Sequence, residues 1–120
     1  MLNRIVTGGY VTDEFGVPRP IQRSFVSANA VGNTAVVAAQ GAGVKIRVLS
    51  AYYVTTLANS VKFQSAAVDI APPTPLAANG GMVLPFNAIG WFDTAANAAL
   101  NVNCSVATVT GVMVAWVQAS

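Results

Sequence analysis

From Ser24 onward the chain is built of short runs rich in Val, Ala, Thr and Ile, separated by Gly, Asn and Pro, the pattern of β-strands joined by tight turns. In VKIRVLSAYYVTT (44–56), Val44, Ile46 and Val48 alternate with Lys45 and Arg47, which predicts a half-buried strand. After a turn at Asn59, SVKFQS (60–65) repeats the pattern, with Val61 and Phe63 facing in and Lys62 and Gln64 facing out. A slip of one residue would turn every apolar side chain of such a strand to water, so the register is well specified. SFVSANA (24–30) and NTAVVAA (33–39) flank Val31-Gly32, and QGAG (40–43) turns the chain into the long run. The three prolines of DIAPPTPL (69–76) cannot donate to a central ladder, so that stretch is expected at an edge or as a crossing between sheets. Asn79-Gly80 supplies the positive-φ turn of a hairpin into MVLP (82–85). Asp93 is placed to cap a brief helical turn through TAANAA, after which Leu100, Val102 and Cys104 alternate with Asn101, Asn103 and Ser105. The last run, TVTGVMVAWVQ (108–118), is apolar on both faces, as in a strand covered on both sides or closing an oligomer interface. About eight strands, with turn signals at roughly ten-residue spacing, predict an all-β fold: a single compact β-sandwich or jelly roll over residues 24–120.

Residues 1–23 read differently. They hold Arg4, Asp13, Glu14, Arg19 and Arg23, half of the chain's charged side chains, and Gly8-Gly9 and GVPRP break any regular element. An extended N-terminal arm is expected. Ordering it costs about 1–2 kcal/mol per residue in backbone entropy, which Ile5, Val6, Tyr10, Val11, Phe15, Val17 and Ile21 are too sparse to offset in an isolated monomer. The arm is therefore expected to lie against a partner, with Arg4, Tyr10, Phe15, Arg19 and Arg23 as its contact residues. The arginines either pair with acidic groups there or simply solubilise the arm.

Composition sharpens the expectation of contact. With 120 residues the chain is long enough for one real core, yet only 8% of it is charged and 54% is hydrophobic, against about 25% charged in ordinary soluble domains. So few charges do not keep copies apart, so the domain is expected to oligomerise, to dock on something larger, or both. A net charge of +2 is too small and too dispersed for a phosphate-tracking surface, which argues against nucleic acid. Cys104 is the single cysteine, so no intrachain disulfide can form, and a small buried core position suits it. Residues 94–120 carry no charge, but Asn97, Asn101, Asn103, Ser105, Thr108 and Thr110 interrupt every window long enough to span a membrane as a helix. MLNRIVTGGYVTDEF lacks the apolar stretch of a signal peptide, so the chain is expected to fold in the cytoplasm where it is made.

Little in the sequence carries chemistry. Histidine is absent, which excludes Ser–His and Cys–His nucleophile systems and removes the commonest metal ligand. Neighbouring Asp13 and Glu14 point to opposite sides of an extended arm and cannot share a proton or a metal. Asp69 and Asp93 could meet only through folding, and they are the sole basis for a two-carboxylate hydrolase. GAG (41–43) and the Gly-Gly pairs at 8–9 and 80–81 lack the context of a phosphate loop and are turns. Asn103-Cys104-Ser105 matches a glycosylation acceptor but lies within a strand. No catalytic residue, metal or cofactor is expected. The aromatic residues Tyr52, Tyr53, Phe86, Trp91 and Phe92 could form a sugar-binding platform, although in a β domain short of charges they more often pack a core or a subunit contact. Phe86, Trp91, Phe92, Asp93 and Trp116 are assigned to such a core or subunit corner.

The succession KIRVLS, an aliphatic strand, VKFQS, a proline-containing crossing, PLAANGG, VLPFN, GWFDTA and ALNVN resembles a group of small tailed-bacteriophage virion proteins with a compact β-sandwich, over roughly residues 36–117. Among these, a short chain with a polar N-terminal arm is most similar to capsid decoration, or cement, proteins. The resemblance implies a homotrimer on the outer surface of the expanded head, bridging subunits of the major capsid protein, with the arms reaching over adjacent capsomers. Two other roles stay open on the residues alone: a fibre or receptor-binding module gripping a host glycan, and a tail or neck structural component.

Overall fold

The computed structural model describes residues 9–120 and the backbone of Val6 and Thr7. Three short strands, β1 (Val6–Thr7), β2 (Tyr10–Thr12) and β3 (Pro18–Pro20), form an antiparallel sheet of their own. The remaining strands are β4 (Gln22–Ala28), β5 (Gly32–Val37), β6 (Lys45–Thr55), β7 (Asn59–Ser65), β8 (Val68–Asp69), β9 (Thr74–Leu76), β10 (Gly81–Leu84), β11 (Phe92–Asp93), β12 (Leu100–Cys104) and β13 (Thr110–Ala119).

Their pairing is nested. β4 pairs with β13, β5 with β12, β6 with β10 and β11, and β7 with β8 and β9, all antiparallel. The chain is thus one long antiparallel ribbon, and the further pairings of β6 with β13 and β7 with β12 divide it into two sheets. The strand orders are β10-β6-β13-β4 and β5-β12-β7-β8, the arrangement of a jelly roll. The all-β sandwich expected from the sequence is present; the strand count is higher than about eight. Two of eight strand positions are each broken in two: Pro72 and Pro73 separate β8 from β9 along one side of β7, and the loop 85–91 separates β10 from β11 along one side of β6.

The core lies between the sheets. Ile46, Val48, Tyr53, Val112, Val114 and Trp116 of the first sheet meet Val61, Phe63, Leu100, Val102 and the buried Cys104 of the second. Phe63 anchors it, edge-on to Tyr53 at 5.8 Å between ring centroids and 5.5 Å from Phe92. The indole of Trp116 donates to Ser24 Oγ (3.0 Å), so its one polar atom is satisfied as it is buried.

Several expectations need correction. No helix occurs among the described residues: Asp93 sits in β11 and its carboxylate faces Arg47 rather than capping a turn. Arg47 and Gln64 lie on outer faces as the alternation requires, but both are buried, because β11 and the N-terminal hairpin cover the first and β8 covers the second. Residues 10–20 are not an extended arm but a hairpin folded back on the body, and the boundary at residue 23 falls inside β4.

The hairpin is held by its own chain. Leu49 continues the outward phase of Arg47 on β6, and Val117 that of Met113 and Ala115 on β13, so both lie on the outer face beneath it. Val11, Leu49 and Val117 form a second small core, with Ile21 and Ala88 packed against it. The area buried there, together with the ion pairs described below, is what composition alone did not supply.

Candidate functional site

With no cluster of reactive groups to follow, the informative surfaces are the outer faces of the two sheets. On the second sheet the outward row is Asn33, Asn103 and Lys62, side by side across β5, β12 and β7. The next is Ala35, Asn101, Gln64 and Asp69. These polar groups bond to one another: Asn103 Nδ2 donates to Asn33 Oδ1 (2.6 Å), Asn101 Nδ2 to the Ala66 carbonyl (2.8 Å), and Lys62 and Gln64 to the two oxygens of Asp69. The bond from Gln64, then that from Lys62, lowers the pKa of Asp69 below the ordinary carboxylate value. This is a face built for water.

The outer face of the first sheet is the opposite. One row runs Phe25, Met113, Tyr52, Val83 across β4, β13, β6 and β10. Phe25 is 77% exposed and Val83 70%, the two highest values among the large apolar side chains, and Tyr52 is 41% exposed. The row on one side is Ser27, Gly111, Val54 and Gly81; that on the other is Arg23, Ala115 and Ser50. Gly81 has no room for more, since a Cβ there would lie 2.6 Å from the Tyr53 carbonyl oxygen. Between Phe25 and the loop after β10, the short side chains of Ser50 and Ala115 leave a groove of about 300 Å³, walled by Arg23, Tyr52, Met113, Val83 and Phe86. Arg23 is the one charged side chain on it.

The hairpin covers the other half of this same outer face and is locked by two ion-pair clusters. Asp13, 2% exposed, accepts from the Phe15 and Val17 amides (2.9 Å each) through Oδ1 and from Arg19 Nε (3.0 Å) through Oδ2. Burial works against its ionisation, but the bonds from Val17, Arg19 and Phe15 outweigh it and hold the carboxyl below its ordinary value. Arg47 grips Asp93 with two parallel bonds (Nε to Oδ1 2.8 Å, Nη2 to Oδ2 2.9 Å) and reaches Glu14 in the hairpin turn with Nη1 (3.0 Å). The bidentate bond to Asp93 raises the arginine pKa, burial opposes it, and the charges of Asp93 and Glu14 add to the rise. Gly90 permits this packing: its φ is +95°, and a Cβ would fall 2.6 Å from Arg47 Cγ.

The sequence-predicted residues therefore part company. Arg4 lies outside the described residues. Arg19 is spent on Asp13 and on Ser120 Oγ (3.3 Å), within the chain rather than on a partner. Tyr10 and Phe15 are exposed on the hairpin, Phe15 at its turn, and Arg23 belongs to the bare face of the first sheet. Phe92 and Trp116 are core; Phe86 and Trp91 are surface, with the Trp91 indole donating to the Pro85 carbonyl (2.7 Å). Tyr53, itself buried, and Trp91 both line a cleft with Phe63, Met82 and Phe92, while Tyr52 lines the bare face, so the three aromatics form no common exposed platform. Asp69 and Asp93 stand on different sheets, each bound to a cation. All four carboxylates are ion-paired, and no three metal-ligating side chains gather among the described residues. Sequence reasoning missed Phe25, Met113 and Val83. The signal was present: Phe25 stands between Arg23 and Ser27 on the polar phase of its strand, where an aromatic is out of place.

No protein-family model matches this chain, and no curated protein matches it significantly.

Proposed function

We propose that this chain is a structural assembly protein of the capsid-decoration kind: a jelly roll that forms homotrimers on the outer surface of an expanded tailed-phage head and bridges subunits of the major capsid protein. The observation that carries the reading is the bare row Phe25, Met113, Tyr52, Val83, an apolar surface on a chain whose carboxylates are all committed to internal ion pairs. Such a surface has cohesion to offer and little else. Its action is mechanical: several copies held together turn weak individual contacts with a shell into a durable one through effective concentration. Preference for the expanded shell follows where the docking surface exists only in that state.

The test is addition of the purified protein to undecorated expanded heads, with bound copies and resistance of the heads to heat or low salt as readouts. Saturable binding that raises resistance is expected. Failure to bind together with retention on host polysaccharide, or rings of six or twelve copies, would replace the proposal with a fibre module or a tail component.

A further inference from the structure

We infer that the bare half of the first sheet's outer face is covered by a second copy of this same chain, with Phe25 of one copy seated in the groove floored by Ser50 and Ala115 of the next. Three observations carry this. The face holds both a projection and a matching depression: Phe25 is the most exposed large apolar side chain, and the groove beside it measures about 300 Å³, where a cavity of about 150 Å³ already accommodates a benzene ring. A surface bearing both halves of a contact is complementary to itself. Second, the area is right. Phe25, Tyr52, Val54, Val83 and Phe86 are each exposed by 41% or more and together present roughly 500 Å². The bordering Arg23, Ser27 and Pro85 bring the face near the roughly 800 Å² per partner of a stable interface. Third, the only charge in reach favours the arrangement. Arg23 has no ion pair among the described residues and walls the groove, so its guanidinium meets the incoming Phe25 ring as a cation over an aromatic face.

The inference concerns the face and not the shell. A chain that self-associates through Phe25 yet ignores heads sustains it and sinks the decoration reading; one that binds heads as a monomer does the reverse.

The experiment is molar mass by light scattering and sedimentation over a concentration series. The wild-type chain is expected to self-associate at micromolar concentration, and Phe25→Thr to weaken that association about a hundredfold, as for a central aromatic anchor, while melting as the wild type does at dilutions where both are monomeric. Val68→Thr, at a 67% exposed apolar position on β8, is the control and leaves association unchanged. A cross-link adds a second readout. Phe25 and Ser50 lie on β4 and β6 with β13 between them, roughly 10 Å apart, beyond the about 7 Å that a disulfide spans. Oxidised F25C/S50C must therefore bond between copies, giving a covalent dimer for a twofold pairing or a closed trimer for a ring. A wild-type chain that stays monomeric at tens of micromolar, or association indifferent to Phe25→Thr, would overturn the proposal.

Discussion

The two outer faces of this jelly roll are made by strands of the same alternation, yet one carries Asn33, Asn103, Lys62 and Gln64 and the other Phe25, Met113, Tyr52 and Val83. On the first of these faces Asn33, Asn101 and Asn103 bond to neighbouring groups, and Gln64 and Lys62 to Asp69. On the second, outward positions hold side chains of the kind normally kept inward, and only half of that face is covered by the chain itself, through the N-terminal hairpin. The contrast separates the apolar surface that the fold uses from apolar surface that it leaves over. One shared core holds both sheets together, while the excess apolar surface sits where it does nothing for the isolated fold.

Substitutions can break this contrast in graded ways. The largest effect is expected at Val114, fully buried and adjacent in sequence to outward Met113: Val114→Asp places a charge between the sheets and should abolish cooperative melting, a loss of more than about 4 kcal/mol. Arg47→Met removes the cation that Asp93 grips and Glu14 reaches. Because those carboxylates are about one-third exposed, the expected cost is about 2–3 kcal/mol, below that of breaking a fully buried pair, with faster hydrogen exchange in the hairpin. Asp13→Ala should cost about 1–2 kcal/mol by orphaning the Phe15 and Val17 amides. The wild-type chain reports the same contact by pH. The Asp13 carboxyl sits below its ordinary 3.8 in the folded state, so its contribution is complete above that value and is lost as pH falls through the lower, folded one. Protection of the Phe15 and Val17 amides, relative to their intrinsic exchange rate at each pH, should therefore fall below about pH 4. On the polar face, Asn103→Val removes the bond to Asn33 and should lower stability by about 1 kcal/mol. The smallest effect is expected on the apolar face, where Phe25→Thr should change chemical denaturation of the monomer by less than about 0.5 kcal/mol. A large loss there would show that the face serves the fold after all.

The strands themselves were legible in the alternation, because β6, β7 and β12 each keep one face for the core. The order in which they lie side by side was not, since the pairings of β4 with β13 and β5 with β12 join residues far apart in the chain. The hairpin was misread for a related reason. Val11 is a poor anchor by itself, and although Leu49 and Val117 lie on the outward phase of their strands, nothing local in the sequence places the hairpin over them. Asp93 precedes TAANAA in a sequence suited to a helix cap, but Arg47 offers it two bonds from a strand 46 residues away. Of the candidate surface, TVTGVMVAWVQ was legible as a strand apolar on both faces, and Tyr52 as an aromatic of interest. That Phe25 and Val83 stand beside them depends on strand order, which brings β4 and β10 to the two flanks of the same sheet.

The interrupted strands at the rim have a consequence for how far association can run. β8 and β9 are cut apart by Pro72 and Pro73, and β10 and β11 by a loop, so neither of these borders offers an unbroken ladder of amides and carbonyls to a stranger's strand. Any sheet extension by a foreign strand is thereby confined to the opposite borders, where β4 and β5 run unbroken.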